Sequence, residues 1–476
     1  MSFNLFSRAG AAVLVAATCA SAASIQGPSS SATPYVVGAQ PGVVSKSILA
    51  VGDSVPSPDG AAAYRMAGIP DGLGAFDNGD GTFTLLMNHE IRTGQGAVRA
   101  HGADGAFVSK WIIRKGSLEV VSGEDLIREI ALWSPATNDY AAPARGVALN
   151  RLCSADLAAP SAFFDSATGL GYDGRLFMNG EEAGTEGRAF AHGLDGTSWE
   201  LPRLGKFSWE NSVPSPGAGA STVVVGLDDT SGGQLYVYVG RKANEGSPVD
   251  RAGLTGGTLY GVKVAAFPEE DETTGIPSGT VFSLHSFGDV ANRTGAWLEA
   301  ESNANGLTAF RRPEDGAWDP NRPNDFYFVT TDRFDGFSRL WRLRFHDVRN
   351  PALGGTIAML LDGTERPQMM DNLTVSDRGR VLIQEDPGGN PHLAKIWQYD
   401  IASGSLDLVA QHDPERFVPG APEFLTFDEE SSGIIDVSSI LGAGWFLLDV
   451  QAHYALPGEL VQGGQLLAIH VPPGRR

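Results

Sequence analysis

The chain is poor in basic residues, nearly free of cysteine and short of helical periodicity, and each shortage closes off a class of protein. It carries 35 Lys and Arg against 56 Asp and Glu, a formal charge of −21. Such a balance disfavours binding to nucleic-acid phosphates and suits binding of cations, although solubility alone explains most exposed carboxylates. Of its two cysteines, Cys19 lies in an N-terminal apolar stretch, AGAAVLVAATCASAA, that is too short to span a bilayer and ends in small residues. Residues 1–23 resemble a general secretory signal peptide cleaved after Ala22 or Ala23. Thr18 fits a lipoprotein site poorly, and there is no twin-arginine motif. The expected location is periplasmic or extracellular, with Cys153 as the one remaining thiol. A lone thiol excludes an intrachain disulfide, and in an oxidising compartment it requires burial or a metal, burial being the commoner outcome. No later segment holds 18 uninterrupted apolar residues, so no integral membrane association is expected. A G-x-S-x-G elbow, a Walker loop and an H-E-x-x-H helix are all missing.

What is present is β-structure in pairs. GTFTLLMNHE precedes FVSKWIIRKG, GGQLYVYVG precedes GTLYGVKVAAF, and NDFYFVTTD precedes SRLWRLRFHD. GRVLIQED likewise precedes KIWQYDIASGSLDLVAQ, and GWFLLDVQAHY precedes QLLAIHVP. Each is a short β-rich run followed, after a polar loop, by another. Counting YDGRLFMNGEE as a further inner strand gives about six uneven units. Radial stacking of small sheets accommodates such a repeat better than a β-sandwich does. The expected fold is all-β, a single β-propeller over 46–476, six-bladed with insertions, with a flexible lead-in at 24–45. GEDLIREIALW at 123–133 is the best helix candidate.

The apolar runs end in acidic, amide and imidazole groups: Asn88, His89 and Glu90; Glu181 and Glu182; Asp228 and Asp229; Asp332; Glu385 and Asp386; Gln451 and His453. In a propeller these ends converge at one mouth. Carboxylates so gathered repel one another and rise in pKa unless a cation neutralises them. Oxygen ligands favour Ca2+, Mg2+ or Mn2+, and a thiolate or imidazole extends the choice to iron or zinc. FRRPEDGAWDP adds Arg312, able to hold a phosphate bidentately, and Glu314, able to ligate a cation. RLCSAD places Cys153 about one unit upstream of the Glu181 pair. Metal-centred hydrolysis is the economical enzyme class for such a set.

In their order and spacing, MNHE, RLCSAD, the GEE strand end, GKFSWENS, VVVGLDDTSGGQLYVYVG, RRPEDG, DNLTVSDRGRVLIQEDPGG and DVQAHY resemble the PhoX-type alkaline phosphatases, secreted calcium- and iron-dependent β-propellers. The resemblance spans about 50 to 470. It implies a phosphoric monoester hydrolase, with diesters a further substrate class, using Ca2+ and Fe3+ on a small-molecule phosphate ester, and a monomeric protein. It further implies Cys153 as iron ligand, Glu181, Glu210 and Glu314 as metal ligands, and Arg312 at the phosphate, with Arg312 and Glu314 as the catalytic pair. Glu90, Asp371, Glu385 and His453 complete the implied metal set. The chain departs from the family in SADLAAPSAFFDSATGLGYDGRLFMNG, which replaces a Gly- and Trp-rich stretch, and in its leader. Two other functions remain open to the residues: a noncatalytic calcium-stabilised binding propeller, and a metal-dependent lactonase or phytase-like esterase.

Overall fold

A computed structural model describes residues 22–472. The leader expected at 1–23 falls almost entirely outside them. The chain is built from antiparallel meanders, and the architecture is all-β and propeller-like. The first strand of each meander forms a ring about a common axis: Pro70–Asp77, Leu152–Asp156, Trp209–Pro214, Pro313–Trp318, Met370–Val375 and Glu429–Asp436. Each axial strand packs on the next, and the last packs on the first. Outside the axial strands lie the apolar runs of the sequence, including Thr82–His89, Leu176–Glu181, Ser221–Asp228, Asp325–Thr330, Arg380–Glu385 and Trp445–Ala455.

Those second strands read as nearly continuous apolar runs because both of their faces are buried. In Arg380–Glu385, Val381 and Ile383 pack toward Tyr327 and Val329 of the preceding meander. Leu382, between them, packs toward Leu448 and Val450 of the following one. The period of two thus feeds alternate side chains into alternate wedges, so that the core of the described residues is divided among several clusters. Axial strands approach closely: a Cβ on Gly72 would lie 2.3 Å from the Ala155 nitrogen.

Closure joins the chain's two ends. Val44–Ala50 lies antiparallel to Gln462–His470, and Ala23–Ile25 runs parallel outside it. Val36–Gly38 pairs with Leu406–His412. The 24–45 stretch, expected as a flexible lead-in, therefore carries two short strands and is stitched to two sheets. All five strand pairs read from sequence are adjacent in the sheets. Four of the five expected inner strands, and Leu176–Glu181, are however second from the axis, and the fifth, Leu235–Arg241, is third. The axial strands escaped notice because they are short and polar, as in WENSVP and PEDGAW.

The 123–133 helix candidate is extended instead, with strands at Val120–Asp125 and Glu129–Ala131. Gly123 packs against the Trp111 ring, and Leu126, Ile127 and Ile130 are buried by tertiary contacts that override the local pattern. The longest helix among the described residues is Gly295–Ala304, opened by a Thr294 cap accepting from the Trp297 amide.

Candidate metal centre

Each entry to an axial strand repeats one local design. The second residue of each strand is a carboxylate or thiol: Asp71, Cys153, Glu210, Glu314, Asp371 and Glu430. A small or polar residue follows it, and the register against the second strand then slips by a bulge close to this position in every case. Bulges re-aim side chains at functional sites, and here they turn these groups into the axial mouth. Two positions earlier, four of the six residues have left-handed backbones: Ile69 (φ 52°), Arg151 (47°), Arg312 (57°) and Met369 (45°). Such strain costs about 1–3 kcal/mol per residue and persists only where the surroundings enforce it.

All six of these positions, left-handed or not, share a repeated hydrogen bond from the end of the second strand. The amides of Glu90, Glu182, Asp229, Thr331, Asp386 and His453 donate to the carbonyls of Ile69, Arg151, Ser208, Arg312, Met369 and Asp428, all at 2.8–3.0 Å. The antiparallel pairing thus brings second-strand carboxyl ends and axial-strand amino ends to the same mouth. Four groups of potential ligands result: Asp71, Glu90 and Cys153; Cys153, Glu182 and Glu210; Glu210, Glu314 and Asp371; Asp371, Asp386 and Glu430. Within each, the ligand atoms lie within 4.8 Å of one another. Sharing of Cys153, Glu210 and Asp371 makes the four one continuous chain.

The donors are hard oxygens with one sulfur, crowded together, and Asp71, Glu210, Asp371 and Asp386 have no Lys, Arg or His ion-pair partner among the described residues. Burial, reinforced by neighbouring carboxylates, pushes Asp71, Glu182, Glu314, Asp371 and Asp386 well above the usual carboxylate range. Burial also raises Glu210 to about 8, against hydrogen bonds from Ser154 and Cys153 that lower it. The Cys153 thiol is driven up by burial and by Asp71 and Glu210, to which its Sγ donates at 3.4 and 3.1 Å. Gln451 Nε2 donates to Asp71 and Glu90 while its buried Oε1 has no partner. A cation reverses every one of these penalties at once by favouring the charged ligand forms. The residues therefore fit a metal cofactor, and the clusters have the capacity to hold one.

Cations of the chain itself sit at the rim. Arg151 Nε lies 2.5 Å from Glu90 Oε1, and its Nη2 pairs with Glu182. Arg312 grips both Asp229 oxygens through Nε and Nη2 at 2.8 and 2.9 Å, and its Nη2 lies 2.8 Å from Glu314. Its side chain is 31% exposed, and no protein hydrogen bond engages Nη1 among the described residues. His453 Nε2 stands 3.7 Å from Glu430. Against its own burial, His453 is held protonated to about 10, and Glu430 is held low by that imidazolium despite burial.

Of the residues expected from sequence, Glu90, Cys153, Glu210, Glu314 and Asp371 come together. Glu181 and Glu385 do not, because adjacent strand residues face opposite ways. Glu181 is held by Arg188 Nε and Nη2 at 2.7 and 2.6 Å. Glu385 accepts from Trp397 Nε1, the Gln368 amide and the Lys395 amide. Their successors, Glu182 and Asp386, take the mouth. His453 borders the cluster through Glu430. Asp228 is turned toward Thr230. Asp332 is tied to Arg311 and the Phe337 amide. Asn88 donates to the Cys153 carbonyl, and buried His89, held down to about 3, stacks on Phe107 at 4.1 Å.

Asp71, Glu430 and Arg151 escaped the sequence reading. Their signal is the six-fold recurrence IPDG, RLCS, SWEN, RPED, MMDN and DEES, an acid or thiol flanked by a larger residue before and a small or polar one after.

No protein-family model and no curated protein sequence matches the chain. Among solved structures, it is similar to PhoX of Pseudomonas fluorescens in complex with vanadate, a transition state analogue. The two share 14% identity at a TM-score of 0.66, over 90% of this chain and 95% of that one. The likeness is one of fold. A putative 6-phosphogluconolactonase of Bacteroides fragilis follows at 12% identity, covering 78% of this chain and 89% of that one at a TM-score of 0.33.

Proposed function

We propose that the chain is a six-bladed propeller acting outside the cytoplasm as a metal-dependent phosphoric monoester hydrolase, with diesters as a further substrate class. The carrying observation is the continuous chain of four ligand groups with a partly exposed arginine at its edge. Acidic charge alone repels a phosphate, so the site needs both bound cations and Arg312 to accept one. Cys153 would hold iron, with the surrounding carboxylates sharing iron and calcium. When bound, such cations supply Lewis acidity toward phosphoryl oxygens and compensate the carboxylates.

The chain's own residues do the positioning. Asp229 and Glu314 fix the Arg312 guanidinium, leaving the Nη1 donors for phosphoryl oxygens and for charge that develops during transfer. Arg151 fixes Glu90 and Glu182 from the other side of the axial strand that carries Glu210. Ser154 Oγ, donating to Glu210 Oε1 at 2.6 Å, and Asn372, donating to Ser154, hold the central ligand from beneath.

Hydrolysis of a generic aryl phosphate before and after chelation tests the reading. Chelator-sensitive turnover is expected, whereas metal-stabilised protein with no turnover would make this a binding propeller. Cys153→Ser is expected to lose iron preferentially while calcium remains. Unchanged iron content on elemental analysis would remove Cys153 from the ligand set.

A further inference from the structure

We infer that an apolar groove beside the mouth is a binding subsite for the hydrophobic portion of the substrate, an aryl or alkyl group esterified to phosphate. The groove encloses about 380 Å³ between Pro391, Leu393, Phe417, Val418, Pro419 and Phe427. Binding pockets for small organic groups start near about 300 Å³, and a cavity of about 150 Å³ already accepts benzene. This one has room for a fused bicyclic ring.

Three observations tie the groove to the candidate centre. Its two walls run directly into potential ligands: Gly389 lies three residues after Asp386, and Phe427 lies three before Glu430. Three residues of extended chain reach at most about 11 Å, so the groove begins within one small molecule's length of the centre. The walls also meet, since a Cβ on Gly389 would lie 3.2 Å from Asp428 Oδ1. Finally, three of the seven exposed large apolar side chains among the described residues fall in one short segment, and two of them, Val418 and Phe427, line the groove. Val418, Phe424 and Phe427 are 41%, 39% and 49% exposed and all lie within 418–427. Such a concentration marks a contact surface, where single scattered apolar residues would not.

A carboxylate-lined centre next to a largely apolar groove, in which Asn390 and His392 are the polar members, matches an amphipathic ester, with the phosphoryl group on the cations and the carbon skeleton on Phe427. The substrate assignment rests on the phosphoryl-transfer reading. The existence of the groove rests on Phe427 and its neighbours alone.

The test uses Phe427→Ser, a substitution at a half-exposed position that leaves the core intact, with Val418→Ser as a second variant. The first readout is fluorescence titration of 1-naphthol against the natively purified protein with its metals retained. The second is kcat/KM for 1-naphthyl phosphate and for glycerol 2-phosphate with metals present. Naphthol affinity is expected to fall about tenfold in Phe427→Ser, the scale of one partly buried aromatic contact. KM for naphthyl phosphate should rise by a similar factor at unchanged kcat, and glycerol phosphate kinetics should not move.

If naphthol binding depends on Phe427 but neither ester is hydrolysed, the subsite stands and the phosphatase reading falls. Equal naphthol binding by wild type and both variants overturns the subsite. So does a parallel loss on both esters. A wild-type dimer that Phe427→Ser converts to a monomer also overturns it, making the patch a self-association surface.

Discussion

Replacing Arg312 with alanine is expected to lower kcat/KM for an aryl phosphate by about 10²–10³-fold and to weaken inhibition by inorganic phosphate, with most of the metal retained. The magnitude is that of removing one preorganised donor from charge that develops in the transition state. Arg312 is preorganised by two carboxylates and by a left-handed backbone whose carbonyl is pinned by the Thr331 amide. Arg312→Lys keeps the charge and loses the fork, so it should recover only part of the activity. Kinetics and phosphate affinity unchanged in Arg312→Ala would remove the residue from the mechanism.

Glu210→Gln is expected to change sign with metal. Glu210 belongs to two of the four ligand groups, so metal-loaded variant protein should be less stable than wild type and hold less metal. Without metal the order should reverse. The folded-state pKa of Glu210 is raised to about 8, so folded protein binds a proton that unfolded chain releases near pH 4.5. Stability contributed by a raised carboxylate is fully present below the unfolded value and is lost as pH climbs toward the folded one. At pH 7 that loss is of order 3 kcal/mol for this group. Chelated wild type should therefore melt progressively lower from pH 5 to pH 8, and chelated Glu210→Gln should fall less and melt higher at pH 8. Thermal unfolding at both pH values, with chelator and with metal, decides it. A chelated variant no more stable than wild type at pH 8 would mean that the mouth carboxylates are adequately solvated without a cation.

The apolar second strands were legible because burial on both faces leaves an unmistakable run, and their pairings follow from turn spacing. The axial strands were not, since a strand that lines a polar mouth carries Gly, Asn, Ser and acids in place of alternating apolar residues. Hence Glu210 entered through family resemblance alone and Glu314 through its own RRPEDG segment as well, while Asp71 and Glu430 did not enter at all. Where two acids stand side by side, as in Glu181-Glu182 and Glu385-Asp386, composition cannot say which faces the axis. Arg188, just ahead of the neighbouring strand Ala189–Gly193, claims Glu181, and Trp397, on the neighbouring strand Lys395–Asp400, claims Glu385; the fold brings both there. The helix expected at 123–133 failed for the same reason, its apolar residues being claimed by strand neighbours.

The central claim is that the four linked ligand groups exist to hold cations. Elemental analysis of natively purified protein measures this directly. Iron and calcium together, at more than one ion per chain, are the expected result. Protein holding no tightly bound metal would contradict it, leaving the mouth carboxylates as protonated or solvated groups with no cofactor to explain their convergence.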